Sequence, residues 1–219
     1  MRKITINLAA VAAFCIVVAS PALVSSSCAT PKTEQEDTTI IREDSGITAL
    51  KYSSPEVPAS IEFCGKTIDL SRFDRHERMD RELLAFTYMH STSLQMLKKA
   101  NRYFPIVEPI LKENGIPDDF KYLMVIESNM NPTARSSAGA AGLWQFMQGT
   151  GRDYGLEVNN NVDERYHIEK ATRAACRYLK DAYAKYKDWV AVAASYNAGQ
   201  ARIASQLAKQ DVDDSLDLQ

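Results

Sequence analysis

From residue 74 onward, apolar residues recur at the spacing of a helix, and this periodicity constrains the fold more than any other feature. The stretch RHERMDRELLAFTYMHSTSLQMLKKANRYF carries its apolar side chains at near-helical intervals, at Met79, Leu83, Phe86, Leu94 and Leu97. The later stretch HIEKATRAACRYLKDAYAKY predicts a long amphipathic helix, and WVAVAASYNAG predicts a shorter one that ends at Gly199. These patterns together predict a mainly α-helical domain.

Local signals divide the helical pattern into separate elements. A break is predicted at residues 91–93, where Ser-Thr-Ser interrupts the periodicity. Pro105 is predicted to open the next helix, and Pro117 to open a further one that ends near Glu127. The earlier stretch IEFCGKTIDL predicts a short strand region with a turn at Gly65 and Lys66. The predicted fold class is therefore mainly α with a small N-terminal strand region.

Residues 1–28 have the order of a secretory signal. Arg2 and Lys3 precede an apolar stretch from about residue 8 to 19, which small residues follow. The stretch is short for a membrane span, which needs roughly 20 apolar residues. The small residues before Cys28 resemble the lipobox of bacterial lipoproteins. Lipid attachment at Cys28 is the preferred interpretation, with ordinary signal cleavage nearby as the alternative. Both place the protein in the cell envelope of a Gram-negative-type bacterium.

Two polar segments flank the predicted domain. Residues 29–60 are acidic and poor in aromatics, which is typical of a solvated linker between a lipid anchor and a domain. Residues 211–219 form an acidic tail. The 26 basic and 28 acidic residues give a net charge of −2, which offers no electrostatic argument for nucleic acid as a partner. Cys64 and Cys176 allow either a disulfide or two small apolar residues in a core.

One carboxylate stands where an apolar helix is predicted to end. In the stretch VIESNMNP, Glu127 follows an apolar run and precedes an Asn-Pro break. Glu127 could be a solvated residue at a helix end. It could also be a general acid, because a carboxyl held against apolar neighbours keeps its proton to higher pH.

Three short motifs lie within the helical region. They are Glu127-Ser128, the stretch GLWQFM at residues 142–147, and the stretch SYNAG at residues 195–199. Each motif alone is compatible with ordinary packing. Together and in this order, over about residues 105–205, they resemble the catalytic domain of soluble-type lytic transglycosylases, with most similarity to the D-type subgroup. The resemblance implies a lysozyme-like fold of the α+β lysozyme superfamily.

The resemblance also assigns domains and roles. Residues 61–104 would form an N-terminal extension, and residues 105–210 the catalytic domain, with no metal or cofactor. Glu127 would be the catalytic acid and base. The implied substrate-binding residues are Ser136, Gln145, Met147, Tyr196 and Asn197. For Trp144, stacking on a sugar face and packing in the core both remain open.

The implied activity is cleavage of the β-1,4 bond between N-acetylmuramic acid and N-acetylglucosamine, with a 1,6-anhydro product. The implied partners are peptidoglycan glycan strands and, through the lipid anchor, the membrane. Two alternatives remain at this point: a lysozyme-type hydrolase, and a lipoprotein that binds peptidoglycan without cutting it. The family's Pro-x-Glu-Thr-x-x-Tyr type motif after SYNAG does not appear in this sequence, which leaves open whether one wall of the groove is incomplete.

Overall fold

The computed structural model describes residues 55–199 together with residues 203 and 205. The predicted signal segment, Cys28, the acidic tail at 211–219 and the linker up to residue 54 lie outside these described residues. The last linker residues, from 55 onward, are described, and Val57 packs against the hydrophobic core.

A β-hairpin precedes the helices, as the sequence predicts. Strand β1 (Ser60–Phe63) pairs antiparallel with strand β2 (Lys66–Asp69). The turn lies at Cys64 and Gly65, one position earlier than predicted, and both residues have positive φ, 53° and 78°. A turn of two left-handed residues matches the twist of the paired strands. The ring of Phe63 packs against that of Phe120 at a centroid distance of 6.1 Å, which fastens the hairpin to the helical domain.

The rest of the described chain is mainly helical, which confirms the predicted fold class. Single turns of 3₁₀ helix occur at Asp118–Phe120 and Glu164–Tyr166. The α-helices of the described residues are α1 (Phe73–Tyr88), α2 (His90–Glu113), α3 (Lys121–Ser128), α4 (Gln148–Asp153), α5 (Ile168–Tyr186) and α6 (Trp189–Ala198). Within the described part of the chain, no helix combines the length and the apolar character that a membrane crossing requires.

The prediction that Pro105 opens a helix is wrong. Helix α2 runs unbroken through both Pro105 and Pro109, and the break before it lies at Met89 rather than at residues 91–93. A proline inside a helix loses one backbone hydrogen bond and crowds the preceding turn. Here tertiary packing outweighs that cost, because the same helix buries Val107 and Leu111 completely.

Helix α3 lies at the centre of the packing, and this determines where Glu127 stands. Four consecutive side chains of α3, from Tyr122 to Val125, are buried. The long helices α2 and α5 pack against each other, and α2 also packs against α3. Cys176 of α5 is fully buried and Cys64 is half-buried, and the two do not form a disulfide with each other. A short helix enclosed on all sides can hold its final turn in one position.

Candidate active site

Glu127 lies in the last turn of α3, where the backbone changes direction sharply. The next two positions, Asn129 and Met130, have left-handed φ values of 50° and 52°. The amide of Asn129 donates to the Val125 carbonyl at 2.8 Å, and Nζ of Lys99 donates to the Asn129 carbonyl at 3.0 Å. Glu127 is half-buried, and its Oε1 atom is shielded from solvent. The carboxyl is therefore held at the helix end with one of its oxygens shielded from solvent.

The glycine-rich segment, residues 134–147, folds without forming a regular sheet. Isolated β-bridges join Arg135 to Ala141 and Ala141 to Phe146. Ser136 closes a tight turn inside the segment, because its Oγ accepts a hydrogen bond from the Ala140 amide at 3.0 Å. The predicted substrate-binding Ser136 is thus part of a compact, internally bonded loop.

Gln145 and Met147 differ in their solvent exposure and in their hydrogen bonding. Gln145 is half-buried with φ of 48°, and its amide nitrogen donates to the carbonyls of Ala134 and Gly142 at 3.2 and 2.8 Å. Both amide hydrogens are thereby used within the glycine-rich segment, and the amide oxygen is the atom that could still accept a bond from a ligand. Met147 precedes α4 and is 45% exposed, so it offers an apolar contact at the surface.

Trp144 is a core residue. Its side chain is completely buried, and the indole Nε1 donates to Oγ1 of Thr172 at 3.0 Å. A buried indole N–H needs such a partner. The structure therefore resolves the alternative for Trp144 in favour of packing, and a sugar cannot reach its faces.

Tyr196 connects the glycine-rich segment with Glu127. Its hydroxyl donates to the backbone carbonyl of Trp144 at 2.8 Å, and its ring lies 5.1 Å from that of Tyr178 in an edge-to-face arrangement. Burial, followed by the negative charge of Glu127, raises the pKa of the Tyr196 phenol well above its ordinary value of 10.0. Tyr196 therefore lies within electrostatic reach of Glu127. Asn197 occupies the next position of α6, and its side chain lies outside the described part of the structure.

A buried arginine that sequence reasoning missed fastens the glycine-rich segment. The Arg165 side chain is 4% exposed and binds both oxygens of Asp163, at 2.9 and 2.7 Å. Its NH1 atom donates to the carbonyls of Gly139 and Phe146 at 2.8 and 3.0 Å. The Asp-x-Arg spacing before α5 could have indicated the local ion pair, but nothing in the sequence indicates the two distant carbonyls.

The glycine-rich segment also approaches the backbone of Arg165 closely. Gly142 has φ of +79°, and a Cβ atom added to it would lie 1.9 Å from the carbonyl oxygen of Arg165. Only glycine fits this approach, which explains the glycine that opens the GLWQFM motif.

Other carboxylates near the motifs in sequence have partners elsewhere. The guanidinium of Arg165 holds the pKa of the Asp163 carboxyl below its ordinary value of 3.8. Glu164 forms an ion pair with Lys170, and Oε1 of Glu157 accepts a hydrogen bond from Asn159 at 2.7 Å. Upstream, Asp119 accepts a hydrogen bond from the Cys64 amide. Among the described residues, Glu127 is thus distinguished by its position beside Tyr196.

Comparison with known proteins shows which family and relatives this chain is similar to. Residues 105–217 match the family described as Transglycosylase SLT domain. Membrane-bound lytic murein transglycosylase D of Escherichia coli K12 is 31% identical over 128 residues, which cover 58% of this chain and 27% of the relative. Peptidoglycan transglycosylase gp16 of Escherichia phage T7 is 33% identical over 93 residues, 41% of this chain and 7% of the relative.

A third relative is a putative tributyltin chloride resistance protein of Alteromonas sp. strain M-1. It is 23% identical over 117 residues, which cover 53% of this chain and 56% of the relative. The region that aligns with lytic murein transglycosylase D spans only about a quarter of that relative's length. The family match nevertheless covers more than half of this chain and includes Glu127, the glycine-rich segment and Tyr196. With its mainly helical, lysozyme-like architecture, the chain therefore belongs to the transglycosylase SLT domain family.

Proposed function

We propose that this protein is a peptidoglycan lytic transglycosylase that cleaves the β-1,4 bond between N-acetylmuramic acid and N-acetylglucosamine. The observation that carries the proposal is the Glu127 carboxyl at the end of a buried helix, with Oε1 shielded from solvent and Tyr196 within electrostatic reach. Two relatives whose names specify murein or peptidoglycan transglycosylases support the substrate class. Glycan strands are accordingly the proposed partner.

Glu127 would first act as a general acid. Burial disfavours the charged form of a carboxyl group, so the shielded position of Oε1 suits a group that gives a proton to the leaving glycosidic oxygen. The Tyr196 hydroxyl gives its single proton to the Trp144 carbonyl. The phenolic oxygen can therefore only accept a further hydrogen bond, which a carboxylic acid is able to donate.

The second half of the reaction requires no second carboxylate. Ordinary glycosidases use two carboxylates about 5 to 9.5 Å apart. Here Asp163 is bound by Arg165 and Glu164 by Lys170. In the proposed reaction, the N-acetyl oxygen of muramic acid stabilises the positively charged sugar carbon. The C6 hydroxyl of the same sugar then attacks that carbon, and Glu127, now a carboxylate, accepts the C6 proton.

We propose further that Ser136, Gln145, Met147, Tyr196 and Asn197 bind the glycan strand. Hydrogen bonds hold two of these side chains against the glycine-rich segment, which supports a common surface. Gln145 donates to the Ala134 carbonyl, and Tyr196 donates to the Trp144 carbonyl. For Gln145 the contacting atom would be the amide oxygen. For Met147 the contact would be the exposed thioether side chain.

Mass analysis of muropeptides released from purified sacculi tests this function. We expect products lighter by one water than those of a lysozyme, and no new reducing ends, because the C6 hydroxyl replaces water as the nucleophile. Lysozyme digestion of the same sacculi is the control. Products with free reducing ends would instead assign the protein as a hydrolase. Binding to sacculi with no release of muropeptides would assign it as a binding protein.

We also propose that the protein acts in the cell envelope, anchored through a lipid on Cys28. The relative described as membrane-bound supports the location. Palmitate labelling should mark the wild type and be lost in Cys28→Ala. Cys64→Ala, which removes a half-buried thiol in the hairpin turn, is the matched control and should label like the wild type. Equal labelling of Cys28→Ala and wild type would contradict lipid attachment at this residue.

A further inference from the structure

The interactions of Arg165 extend beyond those that a local ion pair requires. Four hydrogen bonds leave its guanidinium, two to the Asp163 carboxylate and two to the carbonyls of Gly139 and Phe146. Gly139 and Phe146 lie on either side of the tight approach at Gly142. One buried side chain therefore binds the glycine-rich segment both before and after Gly142.

The same residue makes two further close approaches, one to the segment and one to α4. Its backbone carbonyl lies against Gly142, where a Cβ atom would not fit. Its Cγ and Cδ atoms lie 3.3 Å from the position that a Cβ on Gly151 would take. Arg165 thus contacts the segment at Gly139, Gly142 and Phe146, and it also contacts α4, which follows Met147.

Backbone hydrogen bonds hold the turns inside this part of the chain. The glycine-rich segment contains isolated β-bridges rather than a sheet, and side-chain donors add to its backbone hydrogen bonds. Tyr196 supplies one such donor, to Trp144, and Gln145 supplies two from within the segment. The planar fork of an arginine is suited to hold several acceptors in a fixed geometry, whereas the point charge of a lysine is not.

We propose that Asp163 and Arg165 form a positioning clamp that sets the substrate-binding geometry of residues 139–147. Asp163 orients the guanidinium, and the guanidinium holds the carbonyls of Gly139 and Phe146. Gln145 and Met147 are presented to the glycan strand by the segment that these bonds hold. The part of the proposal that concerns glycan rests on the proposed function, and neither clamp residue touches the substrate.

The first test measures the steady-state kinetics of Arg165→Lys on soluble glycan. Lysine keeps the charge and cannot reproduce the fork. We expect KM to rise about 10-fold with a smaller change in kcat, because small displacements of positioning groups weaken productive binding. Arg173→Lys is the matched control, since Arg173 is half-exposed on α5 and contacts Glu113 at 3.4 Å. It should behave as the wild type.

The second test measures hydrogen exchange without substrate, so it assesses the clamp even if the wild type cleaves no glycan. The amides of Gly142 and Phe146 bond to Ala134 and Ala141 within the segment. In Arg165→Lys they should exchange about 10-fold faster or more, while amides in the middle of α5 keep wild-type rates. If Arg165→Lys does not fold, Asp163→Asn should give the same pattern with smaller shifts.

The two tests separate a positioning role from a merely structural one. Equal acceleration of exchange in the segment and in α5 would overturn the clamp, because global destabilisation would then explain the result. Wild-type exchange in the segment together with wild-type KM would overturn it as well. Failure of the wild type to release muropeptides would count against the proposed function, while local acceleration of exchange would still support the clamp.

Discussion

Glu127→Gln should abolish most cleavage while the protein stays folded. We expect a loss of about 10²–10⁴-fold in kcat, the usual contribution of a positioned general acid or base. The amide has nearly the shape of the carboxylic acid, but it can neither donate the proton to the leaving oxygen nor accept one from the C6 hydroxyl. The side chain is half-buried at the end of α3, so a change of similar size should leave the packing of that helix intact.

Kinetics of muropeptide release, measured together with thermal unfolding, would test this expectation. Glu113→Gln is the matched control, because Glu113 is 63% exposed and forms a long ion pair with Arg173 at 3.4 Å. Such a surface pair contributes about 0–1 kcal/mol, so the control should keep both activity and stability. Full activity in Glu127→Gln would rule out Glu127 as the catalytic acid. A folded variant that still binds glycan would show that the lost step is chemical.

Gly142→Ala should produce the largest loss of stability among single glycine replacements in the described residues. The new Cβ atom would stand 1.9 Å from the Arg165 carbonyl oxygen, and the residue has φ of +79°. A left-handed conformation costs a non-glycine residue roughly 1–2 kcal/mol. Forced overlap in a packed interior typically costs about 1–3 kcal/mol. We therefore expect the free energy of unfolding to fall by about 4 kcal/mol, a large fraction of the stability of an ordinary domain.

Two other glycines separate the contributions of conformation and contact. A Cβ on Gly115 would have open space around it, but its φ is +66°, so Gly115→Ala should show the conformational cost alone. Gly149 in α4 has open space and no positive φ, so Gly149→Ala should be neutral or slightly stabilising. Chemical denaturation of the three variants would measure the series. Equal losses in Gly142→Ala and Gly115→Ala would show that the contact with Arg165 carries no cost.

The parts of the fold that the sequence predicted depend on neighbours along the chain. The amphipathic periodicity of α5, the end of α3 beside Glu127 and the strand pair before the helices are encoded within short windows. The sequence was less informative at Pro105, where a local rule predicted a helix start and the structure has an unbroken helix. Burial of residues such as Val107 outweighs the local cost there, and burial depends on the whole fold.

In the candidate site too, the sequence determined some features and the tertiary structure determined others. The motifs around Glu127, Gln145 and Tyr196 identify the family from the sequence, since the order and spacing of residues are visible there. The orientation of Gln145 toward Ala134, the burial of Trp144 against Thr172 and the reach of Tyr196 to the Trp144 carbonyl were decided only by the tertiary structure.

The bonds of Arg165 to Gly139 and Phe146 connect residues 26 and 19 positions apart, and that of Trp144 to Thr172 spans 28 positions. A side-chain donor can meet any backbone carbonyl that the fold brings within hydrogen-bonding distance, because every residue carries the same acceptor. The sequence therefore determined which groups are available in this protein. The packing of α2, α3 and α5 decided which of them meet, because it sets the distances between segments that are remote along the chain.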